Sequence, residues 1–358
     1  MSFLHLMKMA ESDDRVPSMK EWFKPYPHQA EAVDKLFANR GKLVLAHQTG
    51  TGKAQPLSAL LLTPQGWVQM GGAHVGMTLV DPDGGTSSVT GVYPQGVQDV
   101  YRVVFTDGAT AECTLDHLWH VRSINGVERV ATLQQLLEGS AYWSESGMRE
   151  YRCQPLAEYA NPYWHIPMVQ PVEFPRQELP LDPYLLGALL GDGNFSGRAT
   201  RLSSEDEFIV KEARARVPSG MEVVPAGRCD YRITDKRRNG NRVATALEEL
   251  SLRGLRSESK FVPPQYLVAS VEQRLDITRG LLDTDGCVSG ACIEFSTVSP
   301  QLADDMRELC QSLGGRVRTT SRRPVYTYKG GRHTGKLAYR VYLRFPEGVV
   351  PFALPRKR

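Results

Sequence analysis

The chain has 358 residues, 41% of them hydrophobic and 23% charged, with a formal net charge of +3. That length predicts two or three domains of ordinary globular composition, and so small a positive excess does not by itself announce a nucleic-acid partner. No apolar run approaches the roughly 18 residues of a membrane span, so no membrane association is expected. The start, MSFLHLMKMAESDD, lacks the apolar core and cleavage site of a secretory leader. The six cysteines form no CxxC pair and no zinc spacing with histidine, which predicts reduced thiols in a cytoplasmic protein.

In residues 1–53, Trp22-Phe23-Lys24-Pro25-Tyr26-Pro27-His28-Gln29 precede an amphipathic stretch, and LVLAHQTGTGK then reads as a strand entering a glycine-rich turn. A phosphate loop has this form: backbone N–H groups cradle phosphates, a lysine reaches them, and the next Ser or Thr holds Mg²⁺. Here Lys53 is followed by Ala54, then Pro56 and an apolar run closed by Thr63-Pro64-Gln65-Gly66. Proline and a turn do not continue the required helix. The loop is cut at the Lys53–Ala54 bond. Trp22 to Gln29, ahead of the amphipathic stretch and the strand, resemble the adenine-reading motif of Snf2-like superfamily-2 helicases. That resemblance implies Gln29 on the adenine edge and Gly50, Gly52 and Lys53 on the phosphates. The fragment lacks the loop hydroxyl, an acidic metal motif and a second lobe, so ATP is expected only of an intact host helicase.

From residue 54 the pattern changes to short β runs: ALLLT, GWVQM, MTLVD, SSVTGVY, DVYRVVFTD and TAECTLDHLWHV, with Pro-Asp-Gly-Gly and Thr-Asp-Gly at turns. The cut loop, the block ALLLTPQGWVQMGGAHVGMTLVDPDG and a Thr-x-x-His at Thr114 and His117 together resemble an intein, a self-excising insertion. The resemblance implies an N-extein over 1–53, a mainly β Hedgehog/intein (HINT) splicing domain over 54–172, and a bacterial or phage-infected cell as setting. It also implies attack on the Lys53 carbonyl, with His117 protonating the departing nitrogen and the Thr114 hydroxyl holding the distorted bond. Ala54 departs from the pattern, because most inteins begin with a Cys or Ser nucleophile. Two readings stay open. Either this is a class 3 intein, in which a C-terminal cysteine attacks Lys53 directly and Trp119 marks the block, or Ala54 replaces a nucleophile and freezes splicing. Trp119 favours the first. The end, PFALPRKR, has no His-Asn and no cysteine follows Cys310. The last splicing blocks are therefore expected to be missing, to be supplied by a C-terminal segment in cis or as a second chain.

Residues 173–358 open with a proline-rich linker, VEFPRQELPLDP, leading into YLLGALLGDG; RGLLDTDGCVSG repeats that pattern 93 positions later, counted from Asp192 to Asp285. Apolar residues with a glycine at the contact predict two helices packed closely, each ending in Gly beside an aspartate. These segments resemble the paired motifs of LAGLIDADG homing endonucleases. The resemblance implies an α+β domain of two pseudo-symmetric αββαββα repeats, acting as a monomer. It places Asp192, Asp285, Gly191 and Thr284 around Mg²⁺ or Mn²⁺, and gives Lys260, in SKFVPPQYL, the role of polarising the attacking water. Arg316 to Phe345 carries nine Lys/Arg and no acidic residue. Arg322, Arg323, Lys329, Arg332, Lys336, Arg340 and Arg344 there predict a β-ribbon for a major groove. Arg232, Lys236, Arg237, Arg238 and Arg242 are its expected counterpart in the first repeat. The expected partner is double-stranded DNA at the insertion site, the intein-free helicase gene. Two alternatives stand beside this reading: a splicing module whose endonuclease only binds DNA, and a helicase ATPase fragment.

Overall fold

The computed structural model describes residues 3–8, 55–93, 96–105, 109–123, 125–139, 141–143, 149–151, 164–197, 199–236, 240–290, 292–328 and 331–358. They fall into two compact units, Met1–Met168 and Val169–Arg358. Gln29, Gly50, Gly52, Lys53 and Ala54, and with them the interrupted loop, lie outside the described residues, as do Arg237, Arg238 and Lys329. Among the described residues no helix is long and apolar enough to cross a membrane.

The first unit is mainly strand, as its alternating pattern predicts. It contains β1 (Phe3–Lys8), β2 (Leu60–Thr63), β3 (Gly66–Gln69), β4 (Thr78–Val80), β5 (Thr86–Ser88), β6 (Tyr101–Phe105), β7 (Thr110–Cys113), β8 (Leu118–Ser123), β9 (Glu128–Thr132), α1 (Leu133–Gly139), β10 (Ala141–Trp143), β11 (Arg149–Tyr151) and β12 (Trp164–His165). The strands form small separate antiparallel sheets, with β6 between β1 and β7, and β8 between β9 and β12. Turn chemistry fixes the hairpins. Thr63 pairs with Gly66 across Pro64-Gln65, and the Thr63 hydroxyl donates to the Gly66 carbonyl at 2.7 Å. The Asp81 carboxylate accepts the N–H groups of Asp83 and Gly85 at 3.1 and 3.0 Å. Between them Gly84 takes the left-handed φ of +87° that glycine tolerates best. Two small cores result, one around Met70, Leu79 and Val89 and one around Val103, Phe105, Cys113, Val121 and Trp164.

The second unit contains α2 (Pro183–Asp192), β13 (Gly193–Asn194), β14 (Arg201–Ser203), α3 (Glu207–Arg216), β15 (Met221–Pro225), β16 (Asp230–Asp235) and α4 (Arg242–Glu249). After α5 (Pro264–Leu267) come α6 (Val271–Asp285), β17 (Gly286–Ser289), β18 (Cys292–Thr297), α7 (Pro300–Ser312), β19 (Arg316–Arg322), β20 (Val325–Tyr328), β21 (Gly331–Thr334) and β22 (Ala338–Arg344). The first repeat is αββαββα, as expected. The second differs in two ways: the hairpin β20–β21 is inserted before its last strand, and a 3₁₀ turn at Pro355–Lys357 stands where a last helix was expected. The sheets share one order, β13-β14-β16-β15 and β17-β18-β22-β19.

Side chains set the helix starts. The Asp182 carboxylate caps α2 by accepting the Leu185 N–H, and Pro183 sits in the first turn, where its missing N–H costs nothing. At α6, Ser270 and Gln273 form a reciprocal capping box. Tyr184 to Leu190 are all buried, so α2 is a core helix rather than an amphipathic one. Residues 172–183, expected as a linker, are a packed part of this unit. Val172 and Phe174 are buried, and the fully buried Arg274 donates to the carbonyls of Ala269, Ser312 and Val172.

Candidate active site and nucleic-acid face

Helices α2 and α6 meet backbone to backbone. A Cβ added at Gly187 would stand 2.3 Å from the Ile277 carbonyl oxygen, and one at Gly280 2.2 Å from that of Tyr184. One turn on, a Cβ at Gly191 would meet the Thr284 hydroxyl at 2.0 Å and an Asp285 carboxylate oxygen at 3.2 Å. This close approach therefore brings the two helix ends together, and with them Asp192 and Asp285. Both carboxylates are half-buried and sit where the helix dipole is negative, which disfavours anions. Burial, then the charge of Asp192, pushes Asp285 up to about 6, against the pull of Lys260 and Lys357. Burial also raises Asp192, against the same two lysines.

Each helix end has its own ammonium group. Lys260 Nζ, buried, donates to the carbonyls of Leu189, Leu190, Gly191 and Gly193 at 3.3, 2.8, 3.0 and 2.9 Å. Lys357 Nζ donates to those of Leu282, Asp283 and Gly286 at 2.9, 2.7 and 2.6 Å. These are equivalent positions in the two repeats, so the lysines form a pseudo-symmetric pair. Burial lowers Lys260 to about 8, opposed by Asp285 and Asp192, and lowers Lys357, opposed chiefly by Asp283. The expectation that Lys260 reaches a water meets a more specific geometry. Its N–H groups are taken up by carbonyls at the end of α2, which leaves its charge as what it offers the two aspartates. Lys357 was missed. Its signal is a lysine after the buried PFAL, set like Lys260 beside FVPPQYL, but it is hidden among three other terminal basic and proline residues.

Two half-buried carboxylates, both raised by burial and Asp285 also by the charge of Asp192, are a donor pair of hard oxygens seeking positive charge, and they fit Mg²⁺ or Mn²⁺. Among the described residues no group of three or more His, Cys, Asp or Glu side chains is placed to hold a metal. The fit is thus to a cation shared by two carboxylates, with other oxygens completing its shell. Of the two other expected ligands, Gly191 has its carbonyl engaged by Lys260. The Thr284 hydroxyl turns back to the carbonyls of Gly280 and Leu281, leaving only its main chain for the site.

A pH test follows. With a native value near 6 and an unfolded one near 3.9, the folded protein holds more protons across that window, so the ionisation of Asp285 destabilises it as pH rises. The melting temperature of Asp285→Asn minus that of wild type, without divalent cation, should therefore grow between about pH 4 and about pH 6 and level off above it. A difference independent of pH contradicts the coupling.

Each sheet turns one face to its helices and the other to solvent. On β19, Val317 is buried while Arg316, Arg318 and Arg322 are exposed. Register sets Arg316 beside Arg344, Arg318 beside Tyr342 and Thr320 beside Arg340. In the first repeat the exposed Arg201 and Arg232 are paired. Arg316, Arg318 and Arg201 were not singled out from sequence, although each alternates with a buried neighbour, Val317 or Leu202. Arg322, Arg323, Arg332 and Lys336 are exposed as expected. Two of the expected DNA-binding residues already have acidic partners: Arg340 Nε lies 3.2 Å from Glu294 and Lys336 Nζ 3.0 Å from Glu258. One expectation is corrected. The basic hairpin β20–β21 has no counterpart in the first repeat, because the shared sheet order makes β16 the equivalent of β22. Arg232 lies on β16, whereas Lys236 follows it and Arg242 opens α4.

In the first unit Thr114 and His117 are joined by a turn, the His117 N–H donating to the Thr114 carbonyl at 3.2 Å. The His117 and Trp119 rings meet edge-on at 5.2 Å, and Trp119 packs on Phe105 at 6.0 Å. The Thr114 hydroxyl is buried and finds no hydrogen-bond partner among the described residues. Beside them Cys113 is fully buried, and burial pushes its thiol up to about 12. That excludes it as a ready nucleophile at neutral pH.

Comparison with known proteins reaches both units. Residues 272–344 match the family model of the LAGLIDADG-like domain. The match runs from the first turn of α6 to the end of β22 and includes Asp285. A replicative DNA helicase DnaB from Mycobacterium intracellulare is 27% identical over 330 residues, covering 88% of this chain and 51% of its own length. The chain thus spans about half the length of that curated relative. Among solved structures, mesophilic variants of the homing endonuclease I-DmoI align with a TM-score of 0.30 and 14% identity, covering 46% of this chain and 82% of theirs. I-DmoI in complex with DNA and Mn gives 0.28 and 14%, covering 46% and 89%.

Proposed function

We propose that the second unit is a monomeric, divalent-metal-dependent endonuclease of the homing type, cutting both strands of the intein-free host gene. The observation that carries this is Asp192 and Asp285 at adjoining helix ends, each end capped by its own lysine. A divalent cation bound there would supply Lewis-acid stabilisation of a leaving oxygen and an activated water. The chain's own residues do the rest. Asp192 and Asp285 would hold the cation, with the main chain at Thr284, and at Gly191 beside its bond from Lys260, offering further oxygens. Lys260 and Lys357 offset the negative helix ends and lend positive charge where phosphate charge develops. The arginine faces of the two sheets would bind the phosphate backbone and set the register.

Replacing Arg316, Arg318 and Arg344 together by Gln should weaken DNA binding and flatten the log–log salt slope by roughly three, about 0.9 for each phosphate no longer neutralised. A slope equal to that of wild type would move the DNA face off β19 and β22.

For the first unit we propose the HINT splicing domain of an intein whose host is a helicase. The name of the relative from Mycobacterium intracellulare supports a helicase host. ATP would then belong to the spliced host alone, and the Snf2-like kind of host rests on Trp22 to Gln29, outside the described residues. The grouping of the buried Thr114 with His117 and Trp119 supports a splicing block. The class 3 reading of Ala54, and the cytoplasm of a bacterial or phage-infected cell as location, belong to the same proposal. With a C-terminal segment supplied, in cis or as a second chain, cleavage after Lys53 is expected despite Ala54. His117→Ala should then slow it roughly 10²-fold, as the amide nitrogen leaves unprotonated. Cleavage that appears only in Ala54→Cys would show the first nucleophile to be essential and refute the class 3 assignment.

A further inference from the structure

The two capping lysines sit on straps held by the opposite repeat. The Lys260 carbonyl accepts the Ser299 hydroxyl at 2.6 Å, and the Val262 N–H donates to Asp305 Oδ2 at 2.6 Å. Asp305 lies in α7 of the second repeat, and the fully buried Ser299 is its N-cap, accepting the Leu302 N–H at 3.1 Å. The Lys357 strap is anchored as far as Leu354 by the buried Asp283, which accepts the N–H groups of Ala353 and Leu354 and the Tyr184 hydroxyl. Beyond that point Arg356 Nε donates to Asp206 Oδ2 at 3.0 Å. Asp206 is the N-cap of α3 in the first repeat, its other oxygen accepting the Phe208 N–H at 3.0 Å. Asp206 and Ser299 thus hold the same place in the two repeats, and the straps cross.

We propose that Ser299 and the Asp206–Arg356 pair are positioning residues that latch Lys260 and Lys357 over the acidic pair, and that the two latches differ in strength so as to order the two strand cuts. The proposal rests on the endonuclease reading, with one lysine serving each scissile phosphate. The Ser299 latch is neutral and sealed from water. The Asp206–Arg356 latch is an ion pair whose arginine side chain is 66% exposed, and such pairs are weak and screened by salt. As ionic strength rises, the Lys357 half loses its lysine first. The enzyme then cuts one strand and releases nicked DNA.

Two measurements test this on the full chain. Asp206→Asn keeps a good helix cap while removing the charge, and Arg356→Gln removes the partner. On a supercoiled plasmid carrying the target, both variants should raise the ratio of nicked to linear product about threefold at low salt, the scale of an exposed ion pair. Wild type should reach that ratio only at high salt, and Arg356→Lys should restore it in part. The second measurement needs no DNA: the acylation rate of Lys357, followed by peptide mass spectrometry, should rise in Asp206→Asn while that of Lys260 stays constant. An unchanged Lys357 rate overturns the latch whether or not the protein cuts DNA. A raised rate with an unchanged nicked-to-linear ratio overturns the ordering of the cuts. A raised rate in Asp206→Asn, where the wild-type chain cuts no DNA, upholds the latch and retires the endonuclease reading alone.

Discussion

Asp192→Asn and Asp285→Asn are each expected to abolish double-strand cleavage, a loss of roughly 10³-fold or more, while DNA affinity stays within about twofold. Neither residue lies on an arginine face, and neither accepts a hydrogen bond that the fold depends on. In the protein both are charges held in an unfavourable place. Burial and the neighbouring carboxylate raise Asp285, and each aspartate sits at the negative end of a helix. The amide should therefore leave stability unchanged or improve it. A structural aspartate would behave in the opposite way, as Asp283 should. It is buried and accepts three separate donors, so Asp283→Asn should unfold the C-terminal strap. Full cleavage by both active-site variants would remove Asp192 and Asp285 from the mechanism.

Gly280→Ala should be strongly destabilising for a single methyl group. Alanine favours a helix over glycine by about 1 kcal/mol, so on an isolated α6 the change would stabilise. Here the new Cβ would lie 2.2 Å from the Tyr184 carbonyl oxygen and 2.7 Å from the Ala188 nitrogen. Backbone atoms cannot rotate aside, so α2 and α6 must separate, at a cost at or beyond the roughly 3 kcal/mol upper range of overpacking. Packing should win over propensity. Cleavage should fall further than stability alone accounts for, because parting the helices parts Asp192 from Asp285. Gly197→Ala is the control, since its Cβ would meet nothing within 4 Å. Denaturant unfolding of the two variants checks the contrast. Equal midpoints would mean that the helices do not touch through Gly280.

The parts of this architecture legible in the sequence are those fixed by local chemistry. The apolar helices ending at Gly191-Asp192-Gly193 and at Asp285-Gly286 announce themselves, because close helix packing needs Gly187 and Gly280 and a helix end tolerates glycine. The hairpins around Pro64-Gln65 and Asp83-Gly84 follow from turn residues. What was hidden depends on distant pairing. Lys357 reads as one more charge in a basic tail until the fold sets its Nζ on the carbonyls of α6. Arg316 and Arg318 are obscured by a stretch so rich in cations that alternation with Val317 is easily passed over. Lys236 and Arg242 looked like parts of a ribbon because charge alone does not distinguish a strand from the residue after it or from a helix start. Residues 172–183 looked like a linker because prolines suggest one, yet the carbonyls of Val172 and Gln177 are what the buried Arg274 and Gln273 require.

The most direct measurement is incubation of the full chain with plasmid DNA carrying the helicase gene uninterrupted across the Lys53 junction, with Mg²⁺ and with a chelator in its place. Linear product with Mg²⁺ and intact plasmid with the chelator is the expected result. A plasmid carrying the same gene with the insertion should stay uncut. Tight binding of the uninterrupted site without any nicking, in Mg²⁺ and in Mn²⁺ alike, would contradict the assignment of Asp192 and Asp285 as a working active site.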